Sequence, residues 1–348
     1  MGAALADPPL TPMVEADFVS SATVVGASAA LSAGLIFVLK PFLTRHLMAH
    51  PNDRSSHVTA TPEGAGFGVM LSLFVVCGVL LVGTALPAPS LFPVLVGAAV
   101  LMVLGGLDDA HSLPVSWRLL AQGLVALGVI LTLPSDFRIL PALLPLGAER
   151  ALLVLGVAGF VNIINFLDGL DWMTVVQVVP MTLGIAILCW LGQAPPSIGF
   201  LALALLGATL GFAIFNKHPA SIFLGDSGSL PVGLLLAYML IWVAEAHFVS
   251  ALLLCLYTLT DSLLTVVRRF RNGEQIWTAH RSHFYQRAVA GGLRVPEVTT
   301  RVLVLGLWLM VLAIAAALSR SLAMDISALV FGIAGVAVVL SGFVKGAK

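Results

Sequence analysis

Apolar runs close to twenty residues long recur along this chain, separated by short polar breaks. A helix needs about that many apolar residues to cross hydrocarbon. The pattern predicts spans at roughly 19–42, 64–83, 88–107, 116–133, 151–170, 172–191, 197–216, 228–244, 246–267, 299–318 and 324–343. The run 88–107 is flanked by Pro87 and Pro89, and 228–244 is short and contains Pro231. Interior glycines such as Gly97, Gly156 and Gly207 do not break helices in lipid, where they permit close helix approach. The expected fold is an all-α polytopic membrane protein of about eleven transmembrane helices. Residues 1–348 read as one integral membrane domain, with 1–18 a tail and 268–298 the largest polar loop.

Composition points the same way. Of the 348 residues, 59% are hydrophobic and 10% charged, against about 25% charged in a soluble domain. Such a chain lacks the residues for a water-facing surface, so lipid is the solvent for most of its side chains. A net charge of +0 gives no attraction to nucleic acid. Cys77, Cys189 and Cys255 all lie in apolar runs without metal-ligand spacing and read as small core residues. The first eighteen residues hold Asp7, Glu15 and Asp17 but no basic residue, the wrong start for a cleaved signal peptide, so the first run is expected to be a retained span.

Charge then sets an orientation. With the loop after the first span on the cytoplasmic side, 14 of the 17 Lys and Arg lie on or beside the inner face; Arg138, Arg150 and Arg320 fall outside. The positive-inside rule favours this arrangement, with a periplasmic N-terminus, a cytoplasmic C-terminus and a bacterial inner-membrane location. The same choice gathers His57, Asp108, Asp109, His111, Asn165, Asp168, Asp171, Asn216, His218, Asp226, His280 and His283 at the inner face, from five separate loops. Loops without a function would share their Asp and His between both faces. The outer loops hold only Asp136, Glu149, Glu245, His247 and Asp325.

Several clusters carry chemistry. Asp108-Asp109 ends a span; two adjacent carboxylates beside a membrane repel one another and lose solvation, which a divalent cation relieves, Mg²⁺ being suited to oxygen ligands and phosphates. The alternative is a solvated helix end. Asn162, Asn165 and Asp168 are spaced to line one groove of a helix, and Gly169 allows a turn before Asp171; a hydrogen-bonded helix seam is the plainer reading. Asp226 lies among small residues just before a span, where a carboxylate holds a cation while backbone N–H groups meet phosphate. His280-Arg281-Ser282-His283 suits a diphosphate better than zinc. Arg54 and His57 precede the small-residue loop Gly64-Ala65-Gly66, a candidate lid or ligand wall. Carboxylates, Mg²⁺ and cations on one membrane face suit phosphoryl transfer with a lipid substrate.

These residues resemble the polyprenyl-phosphate N-acetylhexosamine-1-phosphate transferase family. The resemblance rests on Arg54-Ser-Ser-His57 with Thr61-Pro62, Gly106-Leu107-Asp108-Asp109 with Arg118 and Gln122, and Asn162 through Asp171. It continues in Phe215-Asn216 with Pro219-Ala220, Phe223 through Ser229, Asp261 with Arg268-Arg269, and His280 and His283. It lies closer to the O-antigen and common-antigen branch than to the peptidoglycan branch, whose triple-histidine loop is absent. It implies transfer of a sugar-1-phosphate from a UDP-N-acetylaminosugar to undecaprenyl phosphate, releasing UMP, with Mg²⁺ required and Mn²⁺ as a substitute. By similarity Asp226 and Asp108 hold the metal, and Asp108, Asp109 and Asp168 serve catalysis, with no firm ranking of Asp108 against Asp109. Arg54, His57, Asn165, Asp171, Asn216, His280, Arg281 and His283 bind substrate. A homodimer within membrane lipid is compatible with the family.

Three departures are visible. Trp172 stands where the family often has Gly, Glu63 where a basic residue usually precedes the small-residue loop, and Ala60 where proline is common. They bear on sugar preference more than on reaction class. The reading from another class is a polytopic secondary transporter for a phosphorylated or nucleotide-linked solute, which would hold its binding groups near the bilayer midplane and often shows repeated halves. No repeat is evident here.

Overall fold

The computed structural model describes residues 11–49, 60–83, 91–275 and 281–345. Arg54, His57 and His280 lie outside the described residues. The elements are α1 (Thr11–His46), β1 (Met48–Ala49), β2 (Thr61–Pro62), α2 (Gly66–Gly83), α3 (Phe92–His111), α4 (Val115–Leu131), α5 (Leu146–Leu167), α6 (Met173–Trp190) and α7 (Pro196–Asn216). They continue with α8 (Asp226–Ala246), α9 (Phe248–Leu254), α10 (Leu256–Arg271), α11 (Phe284–Ala290), α12 (Val295–Ser319) and α13 (Leu322–Lys345). The two short strands pair antiparallel, with Met48 opposite Pro62.

Among the described residues each predicted span falls on helix. By length and apolar composition, 8 described helices are able to cross a membrane, or 9 if the bent pair α9–α10 counts as one span; α2 and α4 are apolar but shorter. The predicted continuous span 246–267 is broken at Cys255, with a bend of 68°. Composition explains the break. Leu263, Leu264, Val267 and Phe270 are exposed on α10, while Asp261, Thr265 and Arg269 are buried, so this segment is amphipathic and not apolar all round. Helix α5 ends at Leu167, earlier than expected, which frees Asp168 from the helix.

The centre of the bundle is α6, α7 and α8, apolar on every side and the most buried of the long helices, as expected for helices surrounded by others. Helix α1 lies against α7 through small residues. The Ser28 hydroxyl donates to the Ala204 carbonyl at 2.7 Å and Ser32 to Ala208 at 2.8 Å. A Cβ on Gly207 or Gly211 would overlap the Val25 or Ala29 carbonyl. This is small-residue packing of the kind lipid favours, because close backbone approach replaces the missing hydrophobic drive. Gly97 is similarly enclosed, whereas Gly156 faces open space. The three cysteines are free and buried, as expected of core residues.

Gly211→Val is therefore expected to overpack the α1–α7 contact at a cost of about 1–3 kcal/mol, and Gly156→Val to be nearly silent. Thermal unfolding of detergent-extracted protein, followed by size-exclusion chromatography, compares them; equal melting of the two variants would contradict this packing.

Candidate active site

The C-terminal ends of α1, α3, α5 and α7 meet the N-terminal ends of α2, α4, α6 and α8, so one end of the bundle collects the loops that carry the acids. Contacts fix this convergence. Glu63 N–H donates to the Leu47 carbonyl, Gly66 N–H to Leu224 and Phe223 N–H to Pro62. Gly105 allows α3 to touch the start of α8, since a Cβ there would overlap the Asp226 carbonyl.

That crossing gives Asp109 its partners. Its carboxylate accepts the Asp226 N–H at 2.7 Å and the Ser227 N–H at 3.1 Å. It thus caps α8 from a neighbouring helix, at the positive end of the helix dipole where no side chain of α8 itself does so.

Asp108, one residue earlier, is 8% exposed and faces Arg118 of α4, with Nη1 at 2.7 Å from Oδ2. Its Oδ1 accepts the Leu113 N–H. The other guanidinium nitrogen of Arg118, Nη2, lies 3.5 Å from Asp226 Oδ2 and 3.5 Å from Asn165 Oδ1. Asn165 Nδ2 donates to Asp226 Oδ1 at 2.6 Å and to the Ser229 hydroxyl at 2.8 Å. Four helices, α3, α4, α5 and α8, thus place Asp108, Arg118, Asn165 and Asp226 in one junction, in which Asp108 and Asp226 both face the Arg118 guanidinium. Asn162 is engaged one turn deeper, its amide donating to Gln122 of α4 and to Ala158.

Asp168 caps the end of α5 and accepts the Thr174 hydroxyl. Burial, then the charges of Asp109 and Asp171, push its carboxyl up to about 7 despite that hydrogen bond. Glu63 is also pushed up to about 7, by burial and then by Asp109 and Asp108. The acid standing where a basic residue is usual therefore faces the other carboxylates.

Asp171 accepts from His218 Nδ1 at 2.6 Å and from the Ala220 N–H at 3.0 Å. Asn216 is 4% exposed, with Oδ1 accepting the Trp172 N–H at 2.7 Å and Nδ2 donating to Ile222 at 3.0 Å; it pins two loops together. Trp172 has φ 65°, in the left-handed region that glycine enters freely. Its two hydrogen bonds, backbone to Asn216 and indole Nε1 to Ala213 at 2.8 Å, hold it there. Arg281 is exposed, and His283 is buried with Nδ1 3.0 Å from Asp261.

Among the described residues no group of three or more His, Cys, Asp or Glu is arranged to hold a metal ion. What exists is the pair Asp108 and Asp226, two carboxyl groups sharing one guanidinium. The sequence motifs include Arg118 without giving it a task, because its approach to both Asp108 and Asp226 depends on how α3, α4 and α8 come together. Ser229 stands in one of the motifs and Glu63 among the departures, but their neighbours, like the hydrogen bond of Thr174 to Asp168, come into view only with the loops brought together.

The sequence pattern of glycosyl transferase family 4 matches residues 91–244, which include Asp108, Asp168 and Asp226. A Bacillus subtilis protein described as a probable undecaprenyl-phosphate N-acetylglucosaminyl 1-phosphate transferase is 32% identical over 253 residues, covering 70% of this chain and 70% of the relative. The chain belongs to glycosyl transferase family 4. The decaprenyl-phosphate N-acetylglucosaminephosphotransferase of Mycobacterium tuberculosis is 28% identical over 321 residues, 78% of this chain and 75% of that protein. A phospho-N-acetylmuramoyl-pentapeptide-transferase from Wolbachia is 40% identical, but over only 77 residues, 22% of this chain and 24% of that one. Family 4 membership agrees with the resemblance drawn from the motifs between Arg54 and His283.

Two outcomes are expected of this geometry. Asp109→Ala removes the acceptor for the first N–H groups of α8 and lowers stability by about 1–2 kcal/mol, the usual cost of a lost helix cap, whereas Asp109→Asn keeps an acceptor and loses less; differential scanning fluorimetry reads the order, and equal melting of both variants with wild type would contradict it. The raised carboxyls of Glu63 and Asp168 mean that the folded protein holds protons to higher pH than the unfolded chain. Stability is therefore greatest below the ordinary carboxylate values of 4.5 and 3.8 and falls as pH rises toward about 7. In protein free of divalent cations, melting at pH 8 should lie below melting at pH 5.5, and a flat profile would contradict the burial of these acids.

Proposed function

We propose that this family 4 protein transfers an N-acetylhexosamine 1-phosphate from a UDP-linked sugar to undecaprenyl phosphate at the cytoplasmic face of a bacterial inner membrane, as a first membrane step in making O-antigen or a related surface polysaccharide. The observation that carries the reading is the Asp108–Arg118–Asn165–Asp226 junction at the end of the bundle, in a chain whose relatives bear the names of polyprenyl-phosphate sugar-phosphate transferases. In this reading all eleven apolar segments cross the bilayer, the shorter α2 and α4 included, the N-terminus is periplasmic, and the acids face the cytosol.

The donor set fits Mg²⁺. This ion commonly takes one or two protein carboxylates and completes its shell with water and substrate phosphates. Asp108 and Asp226 provide such a pair, and two carboxylates that share one guanidinium, the first buried and the second half-buried, are relieved by a second cation beside Arg118. When bound, Mg²⁺ supplies positive charge against the diphosphate of the donor. The chain's own residues do the rest. Arg118 sets the two carboxylates side by side. Asn165 holds Asp226 through one amide hydrogen and keeps its rotamer fixed. Asp109 fixes the start of α8 and hence the backbone of Asp226. Asp168, next to the Asp109 charge, faces the acceptor side, and Asp171 and Arg281 line the donor side.

In the reaction an oxygen of the acceptor phosphate bonds to the sugar-bearing phosphorus. The bond from that phosphorus to the bridging oxygen breaks, and the electron pair leaves with UMP. A phosphate oxygen is already anionic near neutral pH, so alignment does more here than proton removal. A transporter is not favoured by this arrangement, because the acids sit at helix ends and not at mid-depth.

Purified protein, Mg²⁺, undecaprenyl phosphate and a panel of UDP-N-acetylaminosugars test the proposal, with lipid-linked product read by mass and UMP by chromatography. Asp226→Asn should lower turnover by about 100-fold or more, a loss of the size that removal of a preorganised charge gives, while the protein inserts and melts as wild type does. Asp136→Asn, at the opposite end, should turn over normally. Full activity of Asp226→Asn, or no product with any donor, would overturn the assignment.

A further inference from the structure

A second buried polar cluster lies beside the carboxylate junction. Asp261 on α10 is fully buried. Its Oδ1 accepts from His283 Nδ1 at 3.0 Å, from the Phe284 N–H at 3.2 Å and from the Thr265 hydroxyl at 3.5 Å, and its Oδ2 accepts from the Tyr257 hydroxyl at 3.1 Å. A carboxylate only accepts, which assigns the imidazole proton to Nδ1. His283 itself is 2% exposed, and its ring stacks 5.8 Å from that of Tyr285. From the same helix, Arg268 donates to the Ser282 carbonyl.

This cluster reaches the site through the backbone. The Tyr285 hydroxyl donates to the Phe166 carbonyl at 3.0 Å, and the same hydroxyl leaves no room for a Cβ at Gly169. Phe166 and Gly169 bracket Asp168. A continuous line of contacts therefore runs from Asp261 through His283 and Tyr285 to the turn that presents Asp168, with exposed Arg281 two residues before His283.

We propose that Asp261 is a positioning residue for the transfer reaction: it holds His283 by Nδ1 so that the 281–285 segment braces the Asp168 turn, and His283 serves the site by this hydrogen bond instead of by touching substrate. The proposal rests on the transferase reading above. Its physical basis is burial. A phosphate arriving at this edge meets Arg281, whereas the imidazole is covered. Removal of the Asp261 carboxylate strands several buried donors at once, each costly without an acceptor.

Three variants of the full-length protein decide the matter: His283→Ala, His283→Gln and His283→Asn. The Asn amide nitrogen can take the place of Nδ1 and donate to Asp261; the Gln amide reaches toward the place of Nε2. His283→Ala and His283→Gln should lose about 10- to 100-fold in kcat, the loss expected when a hydrogen bond to a charged group goes, with the KM for the UDP-sugar moving little. His283→Asn should recover most of that loss. Asp261→Ala should match His283→Ala, and the double variant should be no worse than either single one, because the two residues act as a unit. Hydrogen exchange on the same proteins should show the 166–172 turn losing protection in His283→Ala and regaining it in His283→Asn.

A His283→Asn protein as inactive as His283→Ala, yet with wild-type protection of that turn, would show that the imidazole touches substrate and would overturn the proposal. Equal exchange of the turn in wild type and His283→Ala would also overturn it. Wild-type protein that makes no product would count against the transferase reading alone, since the exchange comparison still decides the brace.

Discussion

Two carboxylates brought to one place at the end of an apolar bundle need a cation, and Arg118 is the residue that supplies it. The salt bridge to Asp108 at 2.7 Å and the longer contact to Asp226 at 3.5 Å tie α4 to α3 and α8, and Asn165 adds α5 through Asp226. Asp109 completes the joint by capping α8. One guanidinium does not neutralise two carboxylates, and Glu63 and Asp168 add further acid nearby. The joint is thus short of positive charge, and this is the feature on which the proposed divalent ion rests.

The remainder of the fold serves this joint. Helices α6, α7 and α8 form a largely apolar core, with the acids at their ends. The small residues between α1 and α7 bring backbones close enough to hold the first helix without bulky side chains. At the end of the bundle opposite the acids, Glu149 is buried and satisfied by Arg138 at 2.6 Å and by two backbone N–H groups. There the charge is balanced within the loop, in contrast to the excess of acid at the site.

The helices and the gathering of Asp108, Asp168 and Asp226 at one face were legible in the residue pattern, because apolar length and the distribution of Lys and Arg are one-dimensional signals. The break at Cys255 was not, since the apolar residues of α10 lie on one side only and a run of hydropathy averages over both. The partners of the acids were also hidden. Asp108 and Asp109 are adjacent in sequence yet point to different tasks, one toward Arg118 and the other toward the backbone of α8, and only the crossing of α3 and α8 separates them. Asn216 was assigned to substrate by similarity alone; its burial, with hydrogen bonds to the Trp172 N–H and the Ile222 carbonyl, depends on where α6 begins. Trp172 stood out in sequence, and its left-handed backbone supplies the reason glycine suits that position.

The central claim is that Asp108 and Asp226 together receive a divalent cation beside Arg118. Mn²⁺ titrated into purified protein and followed by electron paramagnetic resonance measures this without reliance on turnover. The account predicts a bound ion in wild type that is lost in the double variant Asp108→Asn/Asp226→Asn while melting behaviour is retained. Binding of equal affinity in the double variant would contradict it.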